Sequence, residues 1–191
     1  MADDKSKLKG LRVLLGVSGG IAAYKAVDLA SKLTAAGCSV KTVMTAGACE
    51  LIRPKSFEAI TGNPVLSNLW SSPDEYEIGH IDLASWADIT AVVPATANII
   101  GKAANGICDD LLSTTLCACW NKPVVIAPAM NNRMWENPAV QRNLKKLQDI
   151  GFVTVGPVEG RLACGTEAIG RMAEPVDIIA VIEKTASKIK K

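Results

Sequence analysis

Short apolar segments alternate with longer amphipathic segments along most of this chain, and this alternation limits the folds open to it. Apolar runs of strand length occur at residues 11–17, 39–45, 88–94, 123–127 and 152–155. Apolar residues recur at helical spacing in residues 21–36, 97–106, 109–119, 137–150 and 176–188. Strands that alternate with helices of roughly ten or more residues are typical of βαβ units. The sequence therefore predicts an α/β fold, a single-domain, doubly wound, Rossmann or flavodoxin-like parallel sheet with helices on both faces.

Two stretches show neither pattern. Residues 62–79 contain the turn formers Asn63, Pro64 and Pro73, and we expect an irregular connection there. Residues 156–174 carry glycines between polar residues, and we expect a long loop. Loops of that length inside compact domains often serve as lids or binding loops.

Length and charge bound the class of protein. The 191 residues, 49% hydrophobic and 21% charged, fit one domain at residues 10–191 after a flexible tail at residues 1–9. A net charge of +2 creates no global field for nucleic acid or a membrane surface, so neither is an expected partner. Apolar runs fall well short of the roughly 20 residues that span a bilayer.

The cysteines and the start of the chain indicate a reducing compartment. Six cysteines show no disulfide spacing, and the first residues are charged and lack the apolar core of a secretory signal. We therefore expect reduced thiols and a cytoplasmic protein. A single histidine and the close pair Cys117 and Cys119 do not give zinc-ligand spacing, so no metal is expected.

Residues 128–135, with the sequence PAMNNRMW, are the strongest functional signal. They directly follow an apolar run, so they should leave the carboxyl end of a buried strand, where open α/β sheets bind ligands. Two thioethers, an amide and an indole make a poor surface turn because they expose apolar area. They are well suited to form a wall for a flat cofactor beside a bound carboxylate.

The first strand-to-helix turn, residues 16–20, carries the sequence GVSGG and favours an anion at a helix start. The spacing is not that of the dinucleotide fingerprint GxGxxG, and Thr45, Ala46 and Gly47 stand where an acidic ribose ligand would follow the second strand. A mononucleotide phosphate is therefore favoured over a dinucleotide, with a hydroxyl from Thr45. A tight turn that simply needs small residues is the structural alternative.

The same turn also matches GxSxG, the nucleophile elbow of hydrolases. In that alternative Ser18 is the nucleophile and His80 the base. The elbow normally follows several strands, whereas this one follows the first.

Three further features lie outside these two turns. Residues 94–98, PATAN, follow the third long strand, with Thr96 as an expected N-cap that forms a second lip of the crevice. His80 opens a helical segment, where an imidazole can act as a general base. Cys164 lies in the expected loop, and loop thiols are more often reactive than buried ones.

Together these motifs resemble the homo-oligomeric flavin-containing cysteine decarboxylases, from about residue 10 to residue 183. The most specific element is PxMNxxMW, matched in full by residues 128–135, and the segment from His80 to Asp88 resembles the family's histidine and Trp-Ala-Asp strand start. The resemblance implies FMN as cofactor. By matched position, FMN would contact Gly19, Gly20, Ile21, Thr45, Ala46, Gly47, Thr96, Ala97, Asn98, Ile99 and Ala129.

Within this family, residues 162–165 (LACG) and 170–175 (GRMAEP) resemble the substrate clamp of the branch that acts on phosphopantothenoylcysteine in coenzyme A biosynthesis. The resemblance implies that His80 and Cys164 are catalytic and that Asn131 holds the substrate carboxylate or amide. Met134, Leu162 and Ala163 are the remaining expected substrate contacts. The resemblance also implies the course of the reaction, in which the substrate thiol is oxidised to a thioaldehyde, CO2 is lost and the ene-thiol is reduced, with Cys164 as the acid.

Proteins related to this family give alternative functions. Peptidyl-cysteine decarboxylases act on a C-terminal cysteine but generally lack the clamp cysteine, some relatives are non-catalytic regulators of a phosphatase, and flavin prenyltransferases lack PxMNxxMW. Family members assemble as homotrimers or as dodecamers, each of which is a tetramer of trimers. Many bacterial members are fused to a ligase, so a fused or separate ligase is an expected partner.

Overall fold

The computed structural model describes residues 8–70, 79–161, 163 and 165–188. The strands of its main sheet are β1 (Arg12–Val17), β2 (Ser39–Met44), β3 (Val65–Leu66), β4 (Ile89–Ala95), β5 (Val124–Pro128) and β6 (Val153–Thr154). Their order is β3-β2-β1-β4-β5-β6, and every neighbouring pair is parallel. This is the order of a doubly wound sheet, and it confirms the predicted fold class.

Helices cover both faces of this sheet. They are α1 (Ala23–Ala35), α2 (Ala46–Leu51), α3 (Pro54–Thr61), α4 (His80–Trp86), α5 (Ala97–Asn105), α6 (Leu111–Ala118), α7 (Asn132–Trp135), α8 (Pro138–Asp149) and α9 (Pro175–Ala186). In the described part of the chain, none combines the length and the apolar character needed to cross a membrane.

Two apolar clusters hold the layers together. One lies beneath α1, α3 and α9 and includes Leu29 and Phe57, and the other lies beneath α4, α5, α6 and α8 and includes Leu112. Neighbouring residues of β1 face opposite layers, so Leu15 packs into the first cluster and Leu14 into the second. Each fully buried leucine contributes about 1.5–3 kcal/mol. A strand buried on both faces reads as a continuous apolar run, which is why the sequence showed these strands so clearly.

The prediction of a long loop over residues 156–174 is wrong for two segments within it. There the chain forms an antiparallel hairpin of β7 (Val158–Arg161) and β8 (Glu167–Arg171). Both strands are largely exposed, so they lack the apolar alternation by which a half-buried strand is recognised.

The expected irregular connection at residues 62–79 contains the short strand β3, which pairs with β2. Residues 71–78 of that connection lie outside the described residues, as do residues 1–7 of the predicted tail.

Candidate functional site

The turns that leave β1 and β4 are tied to each other at the carboxyl edge of the sheet. The Ser18 hydroxyl, which is buried, donates to the carbonyl oxygen of Pro94 at 2.8 Å and accepts from the N–H of Thr96 at 3.0 Å. It also lies 3.1 Å from the Thr96 hydroxyl. These two strands are neighbours in the sheet, but the chain leaves them toward α1 and α5 on opposite faces, which opens a crevice at this point.

These contacts also decide against the hydrolase alternative. The Ser18 hydroxyl is committed to Pro94 and Thr96, and Ser18 does not line the cavity described below. A nucleophile must be exposed to its substrate and bonded to its base. Ser18 is therefore a structural residue of the crevice.

The glycines of the first turn allow close backbone approach. A Cβ on Gly19 would lie 2.8 Å from the carbonyl carbon of Gly47, in the turn after β2. A Cβ on Gly20 would lie 3.3 Å from both Pro94 Cγ and Thr96 Cγ2. The turns after β1, β2 and β4 thus meet with backbone exposed between them, as a bound phosphate or flavin edge requires.

Polar caps start the helices that follow three of the strands. Thr45 Oγ1 accepts from the N–H of Ala48 at 3.3 Å, and Thr96 Oγ1 accepts from the N–H of Ile99 at 3.4 Å. Asn131 Oδ1 accepts from the N–H of Arg133 at 2.9 Å. The predicted N-cap role of Thr96 is confirmed. Each cap satisfies a free N–H and fixes where its helix begins.

The hairpin is docked on the segment after β5. The N–H of Met130 donates to the carbonyl oxygen of Gly170 at 3.0 Å. A Cβ on Gly170 would lie 2.2 Å from the carbonyl oxygen of Met130, and the φ of Gly170 is +148°. Only glycine fits both the conformation and the contact, so this residue sets how closely the hairpin covers the crevice.

These elements enclose a cavity of about 710 Å³, within the size range of small-molecule sites. Its lining comes from the first turn and α1, the start of α5, the segment after β5, α7 and the hairpin. The lining residues are Gly19, Gly20, Ile21, Ala22, Tyr24, Lys25, Thr96, Ala97, Ala129, Met130, Asn131, Met134, Arg161, Ala163, Gly170, Arg171 and Met172.

Sequence reasoning missed the basic residues of this lining. Lys25, on α1, is buried, and its Nζ donates to Glu174 Oε1 at 2.8 Å. Arg171 Nη2 donates to the same oxygen at 2.5 Å. The bond from Lys25, reinforced by the charges of Lys25 and Arg171, holds the pKa of the Glu174 carboxyl below its usual range. The available signal was a lysine at an apolar position of a helix, four residues before the buried Leu29.

The structure brings many of the predicted residues together. Predicted residues that line the cavity are Gly19, Gly20, Ile21, Thr96, Ala97, Ala129, Asn131, Met134 and Ala163. Leu162 and Cys164 lie outside the described residues.

The other predicted contacts do not line the cavity: Thr45, Ala46, Gly47, Asn98, Ile99 and His80. The side chain of Ile99 is buried in the apolar cluster below α5, because it takes the core face of that helix. His80 is half-buried as the first residue of α4. Roles for these residues stay predictions.

The strand order and the position of the cavity define the class, a doubly wound α/β protein with a ligand cavity at its topological switch point. Residues 1–187 match the model of the Flavoprotein family, and the chain belongs to this family. The chain is similar to the coenzyme A biosynthesis bifunctional protein CoaBC of Bacillus subtilis, with 49% identity over 177 residues. That match covers 93% of this chain but only 43% of the relative.

Solved structures show the same likeness over nearly the full chain. The FMN-dependent cysteine decarboxylase SpaF superposes with a TM-score of 0.80 at 34% identity, covering 96% of this chain and 99% of SpaF. A cysteine-to-serine mutant of PPC decarboxylase, complexed with pantothenoylaminoethenethiol, superposes with a TM-score of 0.78 at 32% identity, covering 95% and 99%. These likenesses confirm the resemblance predicted from residues 128–135.

Proposed function

We propose that this chain is an FMN-dependent decarboxylase of phosphopantothenoylcysteine, forming phosphopantetheine in coenzyme A biosynthesis. The cavity carries this proposal, because it joins the glycine turn, the start of α5, Asn131 and the hairpin at one place. The similarity to CoaBC and to a PPC decarboxylase supports the substrate.

The residues present fit a flavin mononucleotide. Gly19 and Gly20 expose backbone where side chains would clash, and the start of α5 lies beside them. We propose that FMN contacts these glycines with Ile21, Thr96, Ala97 and Ala129. The same prediction also includes residues of the turn after β2 and of the start of α5, which do not line the cavity: Thr45, Ala46, Gly47, Asn98 and Ile99.

FMN, when bound, supplies an acceptor that takes two electrons from the thiol-bearing carbon of the substrate and later returns them. The resulting thioaldehyde is an electron sink β to the carboxylate, so loss of CO2 leaves an ene-thiol. Asn131, a cavity residue held at the start of α7, would orient the carboxylate through its amide. We propose His80 as the base for the first step and Cys164 as the acid that protonates the ene-thiol.

Two variants separate these steps. With Cys164→Ser we expect CO2 release but accumulation of the ene-thiol, 2 Da lighter than the saturated product. With His80→Asn we expect no bleaching of the flavin by substrate under anaerobic conditions. Absorption spectroscopy and mass spectrometry of the FMN-loaded protein measure both. A normal yield of saturated product from Cys164→Ser would contradict the role of Cys164, and a protein that cannot bind FMN would contradict the whole proposal.

A peptidyl-cysteine decarboxylase is the second candidate, because the chain is as similar to the cysteine decarboxylase SpaF as to a PPC decarboxylase. Incubation with phosphopantothenoylcysteine and, separately, with a peptide that ends in cysteine distinguishes them. Loss of CO2 from the peptide alone, which lowers its mass by about 44 Da for a saturated product or about 46 Da for an ene-thiol, would establish the second candidate.

We also propose a cytoplasmic homo-oligomer, either a trimer or a dodecamer made of four trimers, that works with a fused or separate ligase. Ile21 and Tyr24, which line the cavity, are 67% and 60% exposed. Apolar side chains exposed beside a binding cavity support coverage by a second copy of the chain. The bifunctional CoaBC relative supports the ligase.

A further inference from the structure

Three basic side chains form one wall of the cavity, which we call the cationic wall: Lys25, Arg161 and Arg171. Lys25 belongs to α1, and the two arginines belong to the facing strands of the hairpin. Among the described residues that line the cavity, none is acidic. Every charged side chain among the described lining residues is therefore basic.

Within the cationic wall, Lys25 and Arg171 share one carboxylate. The side chain of Lys25 is only 10% exposed, and Lys25 and Arg171 both donate to Oε1 of Glu174. Burying an ammonium group is costly unless its charge is balanced. One carboxylate cannot balance two cations, so a positive charge remains beside the cavity.

The side chain of Arg171 crosses the hairpin. A Cβ on Gly160 would lie 3.1 Å from Arg171 Cδ and 3.2 Å from Arg171 Nη1, so the absence of a side chain at Gly160 makes room for it. The side chain of Arg171 therefore lies beside Gly160, which directly precedes Arg161. The cross-strand partner of Arg161 is Glu167, which does not line the cavity. The hairpin thus adds two arginines to the lining.

We infer that the cationic wall binds a phosphate monoester, that of the substrate, with Arg171 as its main contact. This inference rests on the proposed function. A phosphate dianion matches the excess positive charge better than a carboxylate does, and a guanidinium can bind it through two parallel hydrogen bonds. Arg161 directly precedes the first segment that resembles the substrate clamp, and Arg171 belongs to the second, so the resemblance places both on the substrate side of the cavity.

FMN is also a phosphate monoester, and it is the competing occupant of the wall. The glycine turn and the start of α5 offer backbone N–H groups to the phosphate of FMN without a basic side chain. The hairpin is docked on the segment after β5, where the N–H of Met130 donates to the carbonyl oxygen of Gly170. We therefore assign the wall to the substrate, which makes it a specificity determinant between phosphorylated and non-phosphorylated substrates.

The test compares kcat/KM for phosphopantothenoylcysteine and for pantothenoylcysteine, which lacks the phosphate, with the FMN-loaded protein. We expect the wild type to prefer the phosphorylated compound. In Arg171→Gln we expect kcat/KM for that compound to fall roughly tenfold, the loss of one charge-assisted bond, with little change for the other. Arg171→Lys, which keeps the charge, should retain part of the preference. The matched control is Arg142→Gln, because Arg142 is an exposed arginine on α8 that does not line the cavity. This variant should retain the full preference for the phosphorylated compound.

Glu174→Gln separates phosphate binding from hairpin docking. It breaks the ion pair between Arg171 and Glu174 but keeps the positive charge of Arg171. We expect it to keep or increase the preference. Equal loss for both substrates in Arg171→Gln, or loss of preference in Glu174→Gln as well, would overturn the inference. Weaker FMN binding by Arg171→Gln with an intact preference would assign the wall to FMN instead and would also overturn it. A wild type that decarboxylates both compounds equally well would overturn the inference alone, whereas decarboxylation of neither would overturn the proposed function with it.

Discussion

Gly170 is the position at which we expect one added methyl group to detach the hairpin of β7 and β8 from the rest of the domain. Its carbonyl oxygen accepts the 3.0 Å bond from Met130, and a Cβ would lie 2.2 Å from the oxygen of Met130. The clash is with backbone, so no rotamer change relieves it. We expect Gly170→Ala to release the hairpin from the segment that carries Asn131.

The size of this effect follows from two contributions. Losing the backbone hydrogen bond costs about 1 kcal/mol, and placing alanine at a φ of +148° costs about 1–3 kcal/mol. Together they amount to about 2–4 kcal/mol. A factor of ten corresponds to about 1.4 kcal/mol, so the open state of the hairpin should rise roughly 30- to 700-fold.

Limited trypsin digestion reads this opening directly, because Arg161 and Arg171 lie in the two hairpin strands. Cleavage after these residues, followed by mass spectrometry, should accelerate in proportion to the open population. Gly165→Ala is the matched control. It has a φ of +88° with nothing within 4 Å of the added Cβ, so it adds strain without the clash. Equal cleavage rates in the two variants would refute the role of the Met130 contact.

Two further predictions concern stability. Ser18→Ala leaves Pro94 O and the Thr96 N–H without their partner and should lower the free energy of unfolding by about 2 kcal/mol in urea denaturation. An unchanged midpoint would contradict this. The hydrogen bond from Arg12 holds the pKa of Asp88 below its usual range, so this contribution is present above about pH 5 and is lost as the pH falls through the lowered pKa. Asp88→Asn should cost at most about 1 kcal/mol at pH 7 and flatten the acid dependence of the unfolding midpoint. An equally steep dependence in this variant would count against the pairing.

The sequence by itself determined the sheet and the edge that binds. Parallel strands buried on both faces require continuous apolar runs, as in β4 and β5, and each run marks its own carboxyl end. The residues that follow these ends were therefore readable as one site before the strand order was known. Residues 94–98 and 128–135 were predicted in this way, and Ala97, Ala129 and Asn131 within them line the cavity.

The tertiary structure alone decided which residues share the cavity wall. Lys25 stands at an apolar position of α1, but only the packing of that helix buries it beside Glu174, which lies far along the chain. The hairpin has no apolar pattern of its own, and its position depends on the contact between Gly170 and Met130. Periodicity records only which face of an element is buried, whereas contacts between distant segments depend on how the elements pack. That is why the fold and the binding edge could be read from the sequence and the charged wall could not.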